Sequence, residues 1–123
     1  MVFCLLVDLE FSSPAQKEAW KALWGGLAKL VRSREPRCLM YEFSDSTEEG
    51  QECRGIIFER YVSASDLDAH RESQRVFDFN SQWTGGDLVA KKVTKWTESG
   101  IGHTAAPAAT PRVSERTAGG SPP

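Results

Sequence analysis

The chain has 123 residues, 40% hydrophobic and 26% charged, with a formal net charge of -2. This is the composition of one globular domain, long enough to bury a core without metals or disulfides. The largest basic block is the pair Lys91-Lys92, which excludes the concentrated positive footprint of a nucleic-acid binder, and no apolar run is long enough to span a bilayer.

Val2 to Leu9 reads as a first strand, short and rich in valine and leucine. Ser13-Pro14-Ala15-Gln16 is a helix start: Ser13 caps, Pro14 suits the first helical position and Gln16 completes a capping box. Ala19, Trp20, Leu23, Trp24, Leu27, Leu30 and Val31 then recur at helical spacing until Pro36 stops the helix. Gly25-Gly26 interrupts the pattern. Each glycine costs about 1 kcal/mol against alanine, and close approach to a sheet, or a kink, would accommodate them.

Arg37 to Phe43 and Gly55 to Val62 read as a hairpin across the polar, acidic loop 45–52. A second helical region, capped by Ser63 or Ser65, carries Leu67, His70, Val76, Phe77 and Phe79 and breaks near Ser73. Trp83 follows, then Gly85-Gly86 as a stop, and Leu88 to Trp96 is a fourth strand. Beyond Ser99 the chain turns to Gly, Ala, Pro, Ser and Thr, too poor in apolar side chains to order. The expected organisation is one domain over residues 1–98 and a disordered tail over 99–123.

The order strand, helix, strand, strand, helix, strand predicts an α+β fold: a ferredoxin-like antiparallel sheet with both helices on one face. Such a sheet has an open face that ordinarily alternates with polar residues. Here Val2 to Val7 and Ile56-Ile57-Phe58 put apolar side chains on both faces. A second copy of the sheet is the economical cover, which predicts a homodimer.

Two stretches resemble a known family. Glu35-Pro36-Arg37-Cys38-Leu39-Met40-Tyr41 is similar to the E-P-G-C-L-x-Y entry to the second strand of antibiotic biosynthesis monooxygenases (ABM). Phe58-Glu59-Arg60-Tyr61-Val62-Ser63, with Leu67-Asp68-Ala69-His70 and Ser73, is similar to the family's F-x-E-R-W-x-S…L-x-A-H-x-x-S. In element order the resemblance spans roughly residues 1–98. It implies a dimeric α/β barrel, two ferredoxin-like sheets face to face. It also implies oxidation of quinol-like or polyketide-like aromatics by dioxygen, with neither metal nor flavin. Arg37 replaces a usual glycine, Tyr61 a common tryptophan, and Arg75 a frequent second histidine. Positions Asp8, Tyr61 and Asn80 lack the asparagine, tryptophan and histidine of the heme-degrading branch, so heme oxygenation is not expected.

Such chemistry needs an apolar, aromatic cavity and one or two proton-transfer groups. His70 is the acid/base candidate, three residues after Leu67 and so turned toward the sheet, with Asp66 four residues earlier to orient it. The alternative is a structural histidine under the second helix. Tyr61 and Glu59 share one face of the third strand. If that face meets the helices, Tyr61 can donate to a substrate oxygen and Glu59 lines the site; otherwise both belong to the dimer interface. Trp20, Trp24, Phe77 and Trp83 are pocket candidates, although aromatics at helical spacing are ordinarily core. A non-catalytic dimer that binds a ligand or partner, and an isomerase of small hydroxy-ketones using Arg60 or Arg75, are the rival readings.

Neither dinucleotide-binding nor P-loop glycine patterns occur, and His70 and His103 are too far apart to suggest a metal cluster. The cysteines Cys4, Cys38 and Cys53 lack motif spacing and read as reduced thiols. With no signal-peptide or lipidation pattern, the expected location is the cytoplasm.

Overall fold

A computed structural model of the protein describes residues 1–83 and 88–104. Its elements are β1 (Phe3–Phe11), α1 (Pro14–Arg34), β2 (Cys38–Asp45), β3 (Arg54–Tyr61), α2 (Ala64–Arg71), α3 (Gln74–Gln82) and β4 (Leu88–Thr97). The four strands form one antiparallel sheet in the order β2-β3-β1-β4. This is the ferredoxin-like arrangement expected from the element order. The Gly85-Gly86 stop and residues 105–123 of the expected tail lie outside the described residues; residues 99–104 form neither helix nor strand.

The alternation of β1 sorts its side chains. Leu5, Val7, Leu9 and Phe11 are buried in the core beneath the helices, and β1 extends past Leu9 because Phe11 belongs to that row. Helix α1 starts where Ser13 Oγ accepts the Gln16 backbone N–H at 3.1 Å, with Pro14 in the first turn. It buries Trp20, Trp24, Leu27 and Val31, while Leu23 and Leu30 fall to the flanks and stay exposed. Trp20 stacks on Trp24 at 5.6 Å, and Trp24 on Tyr41 of β2 at 4.7 Å between centroids. Truncating either tryptophan to alanine is expected to cost about 3–5 kcal/mol.

Helix α1 runs unbroken through Gly25-Gly26, and a methyl group added at either would meet nothing within 4 Å. Neither a kink nor a close approach explains these glycines, and nothing in the structure requires them. Gly55 is different: a methyl there would overlap the Phe43 ring. Ser73 makes the break between α2 and α3. Its Oγ donates to the His70 carbonyl at 2.6 Å and accepts from the Val76 N–H at 3.4 Å, so one hydroxyl ends one helix and caps the next.

Among the described residues no helix or strand lies upon the other face of the sheet. Leu6 and Asp8 of β1, Ile56, Phe58 and Arg60 of β3, and Thr94 and Trp96 of β4 share it by register. Phe58 is 37% exposed and Trp96 59%. The polar members pair sideways: Arg60 Nε and Nη2 hold Glu98 at 2.6 and 3.1 Å, and Cys4 Sγ donates to the same carboxylate at 3.4 Å.

Candidate active site

Between the helices and the sheet lies a cavity of about 410 Å³. Leu5, Val7 and Leu9 of β1 and Ile57 of β3 make its floor. Trp20, Trp24 and Leu27 of α1 wall one side; Leu67, Val76, Phe79 and Trp83 wall the other. The polar lining comes from Tyr41, Glu59 and His70, and from the exposed Arg71, Asn80 and Lys91 toward solvent. An apolar, aromatic enclosure with a few convergent polar groups is the usual form of a small-molecule site.

His70 is brought here by α2, which also buries Leu67 one turn earlier. Its ring is 5% exposed and lies 5.1 Å from the Tyr41 ring. The residue that orients it is Glu35, not Asp66. Nδ1 lies 2.9 and 3.0 Å from the two Glu35 carboxylate oxygens. A carboxylate only accepts, so Nδ1 carries the proton and, in the neutral ring, Nε2 is the basic nitrogen. Asp66 sits at the start of α2, where Ser63 Oγ and Arg37 Nε, each at 2.8 Å, hold it away from the imidazole. Arg75 Nε donates to Glu35 Oε2 at 2.6 Å. One carboxylate at the end of α1 thus binds side chains from α2 and α3.

Glu59 and Tyr61 are on the helix-facing side of β3, and both are buried. The Tyr61 hydroxyl donates to Glu59 Oε1 at 2.6 Å. Tyr61 is 0% exposed and does not line the cavity, which corrects the expectation that it reaches a substrate. Glu59 does line it, and burial raises its carboxyl above the ordinary range despite the Tyr61 hydrogen bond and the nearby His70, Arg71 and Lys91. Of the aromatic candidates, Trp20, Trp24 and Trp83 line the cavity. Phe77 does not: it is 64% exposed on the outer side of α3, and Phe79, two residues on, takes the inner position.

Glu35 was invisible as a partner because sequence proximity favoured Asp66; its position immediately before Pro36, opening the family-like stretch, was the available signal. Arg60 lies on the open sheet face with Glu98, and Arg75 is held by Glu35, so neither lines the cavity. Among the described residues no cluster of histidine, cysteine, aspartate or glutamate is arranged to hold a metal ion. The three cysteines are unpaired, and burial pushes the Cys38 thiol up to about 11, which leaves it unreactive at neutral pH. No helix among the described residues is long and apolar enough to cross a membrane.

Fold and cavity together define a ferredoxin-like α+β protein with an aromatic pocket served by a carboxylate-oriented histidine. The family model for antibiotic biosynthesis monooxygenase matches residues 6–82, and the chain belongs to that family. Solved structures of the same fold include Rv0793 from Mycobacterium tuberculosis, 24% identical, covering 80% of this chain and 95% of that one with a TM-score of 0.66. A Caulobacter crescentus protein, provisionally described as an antibiotic biosynthesis monooxygenase, is 21% identical over 77% of this chain and 87% of its own, with a TM-score of 0.68. Protein SO0527 from Shewanella oneidensis is 21% identical over 76% of this chain and 88% of its own, with a TM-score of 0.63. No curated protein matches the chain.

Proposed function

We propose that the protein is a cofactor-independent monooxygenase that oxidises a quinol-like or polyketide-like aromatic with dioxygen. One observation carries the reading: His70, its Nδ1 tied to Glu35, presents its ring to an aromatic cavity rather than to a filled core. Nε2 takes the phenolic proton of the bound substrate. The resulting anion is electron-rich and supplies the electrons that reduce dioxygen. One oxygen atom enters the substrate and the other leaves as water, with the two hydrogens the substrate gives up. The apolar walls exclude bulk water from the anion. Glu59, held by Tyr61, offers a second position for a proton inside the same cavity.

The working unit in this reading is a homodimer closed through the open sheet face, with Phe58 and Trp96 buried between copies as an α/β barrel. The unpaired cysteines favour the cytoplasm.

Oxygen uptake by the purified protein over a panel of quinols and hydroxylated anthrones, with chelator present, tests the reaction. Wild-type uptake that collapses in a folded His70→Ala variant supports it. Equal uptake by both removes His70 from the chemistry. Absence of uptake, with the same aromatics binding in the cavity, favours a ligand-binding dimer without turnover.

A further inference from the structure

Glu59 stands on the helix-facing side of β3 with one carboxylate oxygen engaged and the other open. The Tyr61 hydroxyl donates to Oε1 at 2.6 Å. No described residue donates to Oε2. Among the described residues, the unpaired side-chain atom sealed inside the protein is Trp83 Nε1. Glu59 Oε2 is unpaired without being sealed: it keeps surface that another molecule can touch, on a residue that is 5% exposed and lines the cavity. Glu35 differs, with its oxygens taken by His70 Nδ1 and Arg75 Nε. A buried carboxyl ordinarily fills its hydrogen-bonding capacity, because an oxygen withdrawn from water without a partner costs free energy. The floor beside Glu59, made by Leu5, Val7 and Ile57, offers it no donor.

We propose that Glu59 determines specificity in the cavity: its Oε2 pairs with a hydroxyl on the ring of the bound ligand, so that the site takes hydroxylated aromatics and discriminates against their O-methylated counterparts. This role rests on the aromatic-ligand reading above and adds to it a group that tells one substituent from another. Apolar walls admit a hydroxyl-bearing and a methoxy-bearing ring almost equally. A fixed carboxylate separates them, because it can only accept and a methoxy oxygen has no hydrogen to give. The methyl group would moreover lie against Oε2 and shut it from water without pairing it. Tyr61 is the positioning residue in this arrangement: by donating to Oε1 it leaves Oε2 for the ligand. One hydrogen bond to the carboxylate, gained or lost, gives an expected preference of about tenfold or more in affinity.

The probes are 1-naphthol and 1-methoxynaphthalene, one ring system with and without a hydrogen to donate. Each is titrated at about pH 8, to favour the carboxylate, into the full-length protein carrying carbon-13 in its glutamate side chains. The Glu59 carboxyl resonance, assigned through its own backbone amide, is followed. The expected result is a shift of that resonance with 1-naphthol, about tenfold or tighter binding of 1-naphthol than of its methyl ether, and loss of the preference in Glu59→Gln. In that variant Tyr61 still donates to the side-chain oxygen, and the amide NH₂ turned to the ligand serves hydroxyl and ether oxygens alike. The wild-type resonance carries the test even if the variant fails to fold. Equal affinities, naphthol binding that leaves the Glu59 resonance in place, or a preference that persists in folded Glu59→Gln overturn the role of Glu59 while leaving the aromatic pocket intact. Failure of both probes to bind at millimolar concentration overturns the proposal together with the aromatic-ligand reading.

Discussion

Replacing Glu35 by glutamine should invert the tautomer of His70. In the native protein the carboxylate accepts from Nδ1 at 2.9 Å and from Arg75 Nε at 2.6 Å, with side-chain exposures of 5% for His70, 10% for Glu35 and 24% for Arg75. A glutamine of the same length has one acceptor and one donor end. Arg75 can only donate, so it takes the amide oxygen; the amide NH₂ then faces Nδ1, which must become the acceptor. The ring proton moves to Nε2, and the nitrogen that the proposed reaction needs as a base ceases to be basic. Both hydrogen bonds lose the carboxylate's charge at about 1 kcal/mol each, the Arg75 one keeping that of the guanidinium, so the variant should lose about 2 kcal/mol and still fold. With a urea dependence of about 2 kcal/mol per molar, the midpoint should fall by about 1 M. Nitrogen-15 spectra of the imidazoles report the tautomer directly, with only His70 and His103 in the chain. Oxidation of any aromatic the wild type turns over should fall by about 10²-fold or more, the scale of general-base catalysis. A folded Glu35→Gln protein that keeps its proton on Nδ1, or one that keeps full activity, refutes the reasoning.

Glu59 gives a pH prediction of opposite sense to an ion-paired carboxylate. Burial raises its folded value above the reference of 4.5, so the native state binds the extra proton and its stability falls as pH rises from about there through the raised value. Denaturation of wild type and Glu59→Gln across that range should show the variant gaining on wild type as pH increases; parallel curves would contradict the burial argument. Gly25→Ala and Gly26→Ala should each stabilise by up to about 1 kcal/mol, since both lie within a continuous helix with open space around them; a lower urea midpoint in either would mean that the position contacts something outside the monomer. Phe58→Asp should convert a dimer to monomer in sedimentation at micromolar concentration while leaving the far-ultraviolet circular dichroism of the fold; an unchanged sedimentation coefficient would remove the open face as the interface.

Short apolar runs bounded by turns made the strands legible, and the two-residue alternation of an extended backbone sorted their faces. The same alternation placed Glu59 and Tyr61 on one face, and the helix-facing register then settled which face it was. Helical spacing alone identified Trp20 and Trp24 as inward but misjudged Phe77. The turn around Ser73 resets the helical phase, so spacing counted from Leu67 no longer applies to α3. Glu35 was beyond such counting, 35 residues from His70 in sequence and joined to it only by the tertiary fold. Trp83 could be read as aromatic lining, but the isolation of its nitrogen is a property of three-dimensional surroundings that no spacing rule encodes.

The sheet is a partition one strand thick. Leu5 faces the cavity and Leu6, its covalent neighbour, the bare side; the same holds for Ile57 and Phe58 on β3. Adjacent letters of the sequence therefore answer to separate demands, one set by what the chamber admits and the other by what settles against the exposed wall. A library that varies Leu5, Val7 and Ile57 while holding Leu6, Ile56 and Phe58 constant would remodel the chamber and leave the wall as it is. In the homodimer proposed above, the complementary library would change how copies associate without altering the interior. The two libraries would let recognition and self-association be tuned as nearly orthogonal traits in a domain this small.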